Sequence, residues 1–446
     1  MAKKDLPRNI FCPEFECMDR GALRSLQNER LRKAVQYCFD RIPHYRRKME
    51  KAGVKPSHIK TVGDLPKLPL TAKEDLRDNY PFGFFAVPNK DLVRLHSSSG
   101  TTGNPTVVGY TRDDLHLWAD LCARFITAAG VTAEDTVQIS FGYGLFTGGF
   151  GLHYGCERVG ATVVPVSSGN TLRQIKIMRD FNTTVLVSTP SYALYIGDTL
   201  REMGVNPAEL GINIGLFGAE PWSEAMRQKI EQRLDIHATD NYGLSEIIGP
   251  GVSGECFVKN GMHIQEDHFL PELIDPETLE TIDPTSGKRG ELVLTNLTRQ
   301  ALPLIRYRTK DLTTFNFEPC ACGRTTVRMS KISGRTDDML IIRGINIFPS
   351  QIESVLLELE HVEPHYMIIV DRVHSLDRLE LQVEVSDVLF HDEMRRFQEH
   401  REKLKHTIES TLGLSIDLKL VEPKTLARSE GKARRVIDKR KEQNGV

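Results

Sequence analysis

The most chemically distinctive stretch of the chain is Ser97–Gly103, which reads Ser-Ser-Ser-Gly-Thr-Thr-Gly. Glycines let a backbone approach a ligand closely, and hydroxyls with successive backbone N–H groups can surround an anion. The largely apolar runs Leu92–Leu95 and Val107–Tyr110 predict a strand on each side. We interpret the stretch as a phosphate-binding loop between two strands, with a flexible Ser/Gly linker as the alternative. The residues expected to contact phosphate are Ser97, Ser98, Ser99, Gly100, Thr101, Thr102 and Gly103.

The residues after this loop exclude two better-known phosphate loops. A Walker loop ends in Gly-Lys-Ser/Thr and opens a helix, and a dinucleotide-binding loop also opens a helix. Here Asn104, Pro105 and a β-branched run follow instead, and they predict a strand. Hydroxyls and loop amides would therefore hold the phosphate without a helix dipole behind them.

Two further turns carry polar residues at the ends of predicted strands. Gly218–Pro221 follows a strand over 212–217, and Asn241–Glu246 follows a strand over 235–240. Predicted strands alternate with predicted helices in this part of the chain, a pattern typical of α/β layers around a largely parallel sheet. Ligands of such sheets bind at the carboxyl ends of the strands, so both turns are candidate ligand contacts.

Cysteine and histidine residues form a second candidate site. Cys320 and Cys322 are a close thiol pair, and Cys256 and His263 lie upstream. Three cysteines with one histidine are a known ligand set for structural zinc, and a complete set leaves no open position for chemistry. Buried, reduced cysteines with a surface histidine are the alternative.

Size and charge limit the possible functions. With 446 residues the chain is too long for one ordinary core, so two or three domains are expected. A net charge of −2 gives no overall attraction to nucleic acid or to an anionic membrane. The N-terminal residues lack the apolar segment of a secretory signal, and the eight cysteines are expected to be reduced. We expect a cytoplasmic protein without a membrane or nucleic-acid partner, and a homodimer is left open.

The element pattern changes near residue 333. A strand, a helix, two strands, a helix and a last strand are predicted between residues 339 and 421, an order typical of a small α+β domain. The fold class predicted is α/β, with a large multi-layer α/β domain over residues 1–336 and a small, mobile C-terminal α+β domain over 337–446. Near the N-terminus, one helix is predicted over 19–51. A short one is predicted to begin at Thr71 as its N-cap, with Lys73 in solvent and a ligand contact of Lys73 as the alternative.

Five short motifs occur in a fixed order and together carry a family resemblance. Besides the loop at 98–103, they are Tyr242–Glu246, Tyr307–Asp311, Gly334–Asp338 and Ser429–Lys432. Through them the chain resembles the adenylate-forming acyl-CoA synthetase superfamily over nearly its whole length. Within that superfamily it most resembles the phenylacetate–CoA ligases, through Thr71–Arg77, Phe141–Gly149 and Met339–Pro349.

The resemblance implies a two-step reaction. A carboxylate attacks the α-phosphorus of ATP, giving an acyl-adenylate and pyrophosphate, and the thiol of coenzyme A then displaces AMP. Both steps develop charge on oxygen atoms, so donors, cations and Mg²⁺ are needed. By resemblance, the loop over 97–103 binds the β- and γ-phosphates, Glu246 binds Mg²⁺ and Ser245 lies near the α-phosphate. An ordinary helix-start glutamate is the alternative for Glu246.

The resemblance also implies contacts to the nucleoside. Tyr242 is expected to stack on adenine, and Asp311 to hold both ribose hydroxyls with Arg335 close by. The alternatives are a core aromatic at Tyr242 and a surface ion-pair cluster of Arg306, Arg308 and Asp311. The other residues expected to line the ATP site are Gly218, Ala219, Glu220, Pro221, Asp240, Asn241 and Gly243.

Two residues of the small domain receive roles by resemblance. Lys432 is expected to reach the acyl and α-phosphate oxygens during adenylation, with a solvated basic tail, able to bind nucleic acid, as the alternative. Asp337 falls at the hinge about which the small domain would rotate between the half-reactions, and the zinc would lie near it. Asn104 departs from the family's pattern, because an uncharged amide stands where a lysine is usual.

The acyl pocket is expected to have aromatic walls, which suit phenylacetate or a similar aryl acid. Ordinary core packing is the alternative for these side chains. Two other functions remain open: an adenylating enzyme that passes another acid to an amine or a carrier protein, and a non-catalytic nucleotide-binding homologue, which only Asn104 favours. The residues expected to line the acyl pocket are Phe141, Tyr143, Phe146, Ile247 and Pro250.

Overall fold

A computed structural model describes residues 9–97, 105–145, 147–343, 345–357, 359, 362–373, 376–390, 394–428 and 435–440. Several predicted site residues lie outside the described residues: Ser98, Ser99, Gly100, Thr101, Thr102 and Gly103 with Asn104, and also Phe146 and Lys432.

The α-helices are α1 (Pro13–Glu16), α2 (Arg20–Arg41), α3 (Pro43–Lys51), α4 (Lys73–Asp78), α5 (Arg112–Ala128), α6 (Gly148–Val159), α7 (Thr171–Asp180), α8 (Pro190–Glu202), α9 (Glu224–Leu234), α10 (Pro349–Leu357), α11 (Asp387–Phe390) and α12 (Met394–Leu412). Short 3₁₀ helices cover Pro56–His58, Val62–Lys67, Asn89–Asp91, Pro207–Leu210 and Pro284–Ser286. The strands are β1 (Arg94–Ser97), β2 (Val107–Tyr110), β3 (Thr136–Ile139), β4 (Thr162–Val164), β5 (Val185–Ser188), β6 (Ile214–Gly218), β7 (His237–Leu244), β8 (Gly249–Glu255), β9 (Met262–Ile264), β10 (Phe269–Ile274), β11 (Thr281–Ile282), β12 (Gly290–Asn296), β13 (Tyr307–Thr313), β14 (Phe315–Asn316), β15 (Arg328–Met329), β16 (Gly334–Arg335), β17 (Leu340–Ile342), β18 (Ile345–Ile347), β19 (Val362–Val373), β20 (Leu376–Val385), β21 (Asp417–Val421) and β22 (Val436–Asp438).

The main sheet has the strand order β14-β15-β9-β8-β7-β6-β5-β3-β4 across the described ranges. Strands β3 to β7 pair in parallel, and helices α6 to α9 connect them in turn. Beyond β7 the pairing is antiparallel, so the prediction of a largely parallel sheet holds for only part of it. The change follows from the short turn after Leu244, since a parallel partner would need a long crossover connection.

A second sheet, β11-β10-β12-β13-β16, is antiparallel and belongs to the same large domain. The small domain has the sheet β21-β20-β19-β22, the hairpin β17–β18 and helices α10 to α12. The described core residues of the large domain run to Met329, and those of the small domain begin at Leu340. The predicted fold class is therefore confirmed, while the boundary between residues 336 and 337 stays a prediction.

Two local predictions near the N-terminus are wrong. The helix expected over 19–51 is divided into α2 and α3, because Pro43 lacks an N–H group and begins a new helix. Thr71 is not an N-cap: its hydroxyl donates to the Ile305 carbonyl over 2.6 Å, and a carboxylate oxygen of Asp75 accepts the Ala72 N–H instead. Within the described residues, we find no helix with the length and apolar character that a membrane crossing requires.

Candidate active site

The two polar stretches predicted as turns lie side by side at the carboxyl ends of β6 and β7. The second is only partly a turn, because β7 continues to Leu244 and not just to residue 240 as predicted. In the parallel register Gly218 is opposite Asn241, and Phe217 is opposite Asp240. The Asn241 side-chain amide donates to the Phe217 carbonyl over 2.6 Å, which ties the two strand ends together. Gly243 must be glycine, because a Cβ atom there would lie 1.9 Å from the Gly249 carbonyl oxygen.

Tyr242, Asp311 and Arg335 form a continuous hydrogen-bonded group. The Tyr242 hydroxyl donates to Asp311 Oδ2 over 2.6 Å, and Arg335 Nη1 donates to Asp311 Oδ1 over 2.8 Å. Asp311 on β13 is directly opposite Arg335 on β16. Burial raises the pKa of Asp311, although the Arg335 guanidinium opposes this. The group brings an aromatic ring and a carboxylate together, as contacts to adenine and ribose would require.

The alternative of a surface ion-pair cluster at this position is wrong. Arg306 pairs with the buried Glu272 at 3.0 Å, and Arg308 pairs with the buried Glu291 at 2.7 Å. The two arginine charges are therefore balanced by glutamates of the second sheet, and Asp311 pairs with Tyr242 and Arg335 instead.

Glu246 follows β7 and is almost fully buried. The Thr106 hydroxyl donates to Glu246 Oε1 over 3.1 Å, and Lys73 Nζ lies 3.3 Å from the same oxygen. The hydroxyl of the neighbouring Ser245 contacts that of Thr147 at 3.0 Å. A carboxylate beside hydroxyls at the end of a parallel strand suits a divalent cation that bridges phosphates.

Sequence reasoning missed two of these residues. Lys73 was expected in solvent, with a ligand contact as the alternative, yet it contacts Glu246, and Thr106 was given no role. For Lys73 the only signal in the sequence was its place within the motif Thr71–Arg77. For Thr106 the only signal was its position shortly after the predicted phosphate-binding loop.

Glu220, Pro221 and the predicted hinge residue Asp337 border a cavity between the two domains. Its volume is about 1270 Å³, and Glu220, Pro221, Arg335 and Asp337 line it together with small-domain residues. Arg335 Nε lies 2.9 Å from Asp337 Oδ1, so the arginine that pairs with Asp311 also contacts the predicted hinge residue. Glu220 accepts the backbone N–H of Ser191 over 2.7 Å, and Ala219 has a left-handed φ of 71°.

The predicted acyl-pocket residues are only partly brought together. Tyr143 is half-buried and contacts His153 Nδ1 through its hydroxyl at 3.0 Å, while Phe141 packs against Gly148. Ile247 is fully buried in the large core, and the Pro250 carbonyl accepts the indole N–H of Trp118 over 2.7 Å. Their role as pocket walls stays a prediction.

The cysteine and histidine residues predicted to bind zinc do come together. One ligand atom from each of Cys256, His263, Cys320 and Cys322 lies within 4.8 Å of every other. All four residues are buried, which contradicts the alternative of a surface histidine.

Comparisons with known proteins agree with this geometry. The family described as "AMP-binding enzyme" matches residues 28–296, and the "AMP-binding enzyme C-terminal domain" matches residues 344–440. The chain is 49% identical to the phenylacetate-coenzyme A ligase of Thermus thermophilus, over 97% of this chain and 100% of that one. It is 48% identical to the Escherichia coli phenylacetate-coenzyme A ligase, over 97% and 98% of the two chains.

Solved structures of a 2-hydroxyisobutyryl-CoA ligase resemble the whole chain. The postadenylation state with R3-HIB-AMP superimposes with a TM-score of 0.90, at 30% identity over 96% of this chain and 92% of that one. The thioesterification state with 2-HIB-AMP and CoA gives only 0.71, at 31% identity over 96% and 91%. The domain arrangement is therefore closer to the postadenylation state. From its motifs, its fold and these relatives, the chain belongs to the AMP-binding enzyme family, alongside the phenylacetate-coenzyme A ligases.

Proposed function

We propose that the protein ligates an aromatic carboxylic acid, phenylacetate or a close analogue, to coenzyme A at the expense of ATP. The reaction passes through an acyl-adenylate and releases pyrophosphate and AMP. The observation that carries the proposal is the group Tyr242–Asp311–Arg335, which can hold a nucleoside at the strand ends where Glu246 presents a carboxylate to its phosphates. Relatives with that activity, aligned over nearly the whole chain, support the choice of acid.

In this proposal each predicted residue has one task. Asp311 accepts hydrogen bonds from the ribose hydroxyls, and Tyr242 stacks on the base. Ser97 and its loop bind the β- and γ-phosphates, while Ser245 and Lys432 stabilise charge on the α-phosphate and the attacking carboxylate. The turns Gly218–Pro221 and Asp240–Gly243 complete the nucleotide site, and Phe141, Tyr143, Phe146, Ile247 and Pro250 surround the acyl group.

Two metals belong to the proposal. Glu246 with the Thr106 hydroxyl is a hard oxygen site, which fits Mg²⁺ held by one carboxylate and by substrate phosphates. Bound there, Mg²⁺ would neutralise charge on the phosphate oxygens. Cys256, His263, Cys320 and Cys322 would hold a structural Zn²⁺ away from the chemistry.

Rotation of the small domain about Asp337 is the remaining element. The structure superimposes better on the postadenylation state of a related ligase than on its thioesterification state. This difference supports two arrangements of the same two domains. Domains of 1–336 and 337–446, a cytoplasmic location and a homodimer are part of the same hypothesis.

A panel of carboxylic acids tests the function. With ATP and Mg²⁺, aryl-acetic acids should release pyrophosphate faster than benzoate or short aliphatic acids, and AMP release should then require coenzyme A. AMP release driven by an amine or a carrier protein instead of coenzyme A would favour the first alternative. Absence of pyrophosphate with every acid would favour a non-catalytic nucleotide-binding protein.

A further inference from the structure

Two distances within the cysteine and histidine cluster match those of a closed tetrahedral zinc site. With Zn–S of about 2.3 Å and Zn–N of about 2.0–2.1 Å, a tetrahedron separates two sulfurs by about 3.8 Å and a sulfur from a nitrogen by about 3.6 Å. The Cys256 and Cys320 sulfurs are 3.8 Å apart, and Cys322 Sγ lies 3.4 Å from His263 Nε2. A disulfide would need about 2.05 Å between the sulfurs.

A neighbouring residue orients the histidine for this task. His263 Nδ1 lies 3.0 Å from Thr326 Oγ1, so the hydroxyl can accept the Nδ1 proton. The lone pair of Nε2 then faces the sulfurs, as in most zinc-bound histidines. Residues 320–323 form a tight turn, in which the Gly323 N–H donates to the Cys320 carbonyl over 3.0 Å. Gly323 has a left-handed φ of 89°.

The loop that carries Cys320 and Cys322 also holds the beginning of the described chain. Arg324, next but one to Cys322, pairs with Glu16 of α1 at 2.5 Å and donates to the Asn9 carbonyl over 3.1 Å. The Thr325 N–H donates to the Glu16 carbonyl over 3.0 Å. The Thr325 hydroxyl donates to the Met18 carbonyl over 2.7 Å. Segment 9–20 is therefore anchored on this loop, in addition to the pair of Arg20 with Glu266 and the packing of Arg30 and Arg124 on the Phe15 ring.

We infer that the zinc site is the structural support of segment 9–20. The metal joins the end of β8, strand β9 and the loop 320–327, and this loop in turn holds α1 against the large domain. The ion has no role in the ligase reaction. The sequence analysis placed the metal near the hinge, whereas the contacts of this loop with Asn9 and Met18 reach the N-terminal part of the chain. The inference rests on the proposed zinc and not on the proposed activity.

Metal content is the first test. The full chain, purified without added metal, should contain one Zn²⁺ per molecule, and Cys322→Ser and His263→Gln should lower this content severalfold. Cys17→Ser is the matched control, because Cys17 is a free, half-buried thiol at the end of α1 outside the ligand set. Zinc well below one equivalent in the unaltered protein would overturn the inference.

Hydrogen exchange is the second test and does not depend on a variant that folds. Zinc is removed from the unaltered protein with a chelator and then restored. Removal should speed exchange in residues 9–20 by about tenfold or more, leave the small domain unchanged, and be reversed by Zn²⁺. Equal protection of residues 9–20 with and without zinc would overturn the inference. Pyrophosphate release measured on the same samples reports separately on the proposed ligase activity.

Discussion

At the level of single residues, Glu246 has a cationic neighbour, Lys73, that does not belong to the Tyr242–Glu246 motif. Lys73 reaches this carboxylate because Thr71 is paired to the strand that carries Asp311. The Thr71 N–H donates to the Arg306 carbonyl over 2.9 Å, and the Arg308 N–H donates to the Thr71 carbonyl over 2.8 Å. Lys73 thus begins α4 at a fixed point of the proposed nucleotide site.

Lys73→Ala should weaken the use of ATP. Loss of a hydrogen bond to a charged group costs about 1.5–3 kcal/mol, so kcat/KM for ATP in pyrophosphate release should fall about tenfold or more. Lys73→Arg should retain part of the rate. Lys67→Ala, which removes a surface pair with Asp64, should change nothing measurable. An unaltered kcat/KM in Lys73→Ala would mean that this lysine only neutralises Glu246.

At the level of elements, the turn between β9 and β10 holds two helices in place. Asp267 Oδ1 pairs with Arg124 of α5 at 2.9 Å, and Asp267 Oδ2 lies 3.0 Å from the His268 ring and 3.8 Å from Arg30 of α2. Burial favours a higher pKa for Asp267, but His268 and Arg124 outweigh it and hold the pKa below its usual range. The native state therefore binds this proton less readily than the unfolded chain.

Asp267→Asn should destabilise the protein in a pH-dependent manner. Removing one partner of a buried ion pair costs about 3 kcal/mol or more at pH 7. A depressed carboxyl pKa stabilises the native state above the unfolded value of about 3.9, and this contribution disappears as the pH falls through the native pKa. The difference in unfolding free energy, measured by urea titration, should therefore shrink below about pH 4. A constant difference, or none, would contradict the assignment.

Local signals in the sequence predicted the helices and strands around the site better than they predicted the side-chain and backbone contacts within it. Strands on both sides of the glycine-rich stretch, and the polar residues at the ends of β6 and β7, follow from local residue types, whereas the antiparallel pairing of β1 with β2 was not predicted. Nothing local revealed that Thr71 would pair near Tyr307, or that Arg306 would be neutralised by Glu272. Such contacts join residues far apart in sequence, and only the packed sheets bring them together.

At the level of the whole molecule, ion pairs hold the small domain in its present arrangement. Arg233 of α9 pairs with Asp198 of α8 at 2.5 Å and with Glu363 of β19 at 2.7 Å. His365 Nε2 lies 3.4 Å from the same aspartate, and the Ser350 hydroxyl donates to the Ser333 carbonyl over 2.6 Å. The Arg233–Glu363 and His365–Asp198 contacts can form only while β19 lies against α8 and α9.

Arg233→Ala should shift the protein away from this arrangement. If the arrangement serves adenylation, pyrophosphate exchange should slow severalfold, while transfer of a preformed acyl-adenylate to coenzyme A should change little. Arg201→Ala is the matched control, since Arg201 is largely exposed and contacts Asp198 only within α8. Equal slowing of both half-reactions would indicate general destabilisation rather than a change in domain position.

Asp337→Pro should slow acyl transfer to coenzyme A more than adenylation, the opposite of the effect expected for Arg233→Ala. Proline fixes φ and removes an N–H group, so it restricts the backbone at the point where the proposed rotation occurs. Transfer to coenzyme A should slow about tenfold more than adenylation, because the present arrangement superimposes better on the postadenylation state of a related ligase than on its thioesterification state. Asp337→Ala removes the same ion pairs to Arg335 but leaves the backbone free, so it should affect both half-reactions alike. Single-turnover measurements of the two steps, compared across both variants, separate the backbone from the side chain. Loss of selectivity in the proline variant would place the rotation elsewhere in the chain.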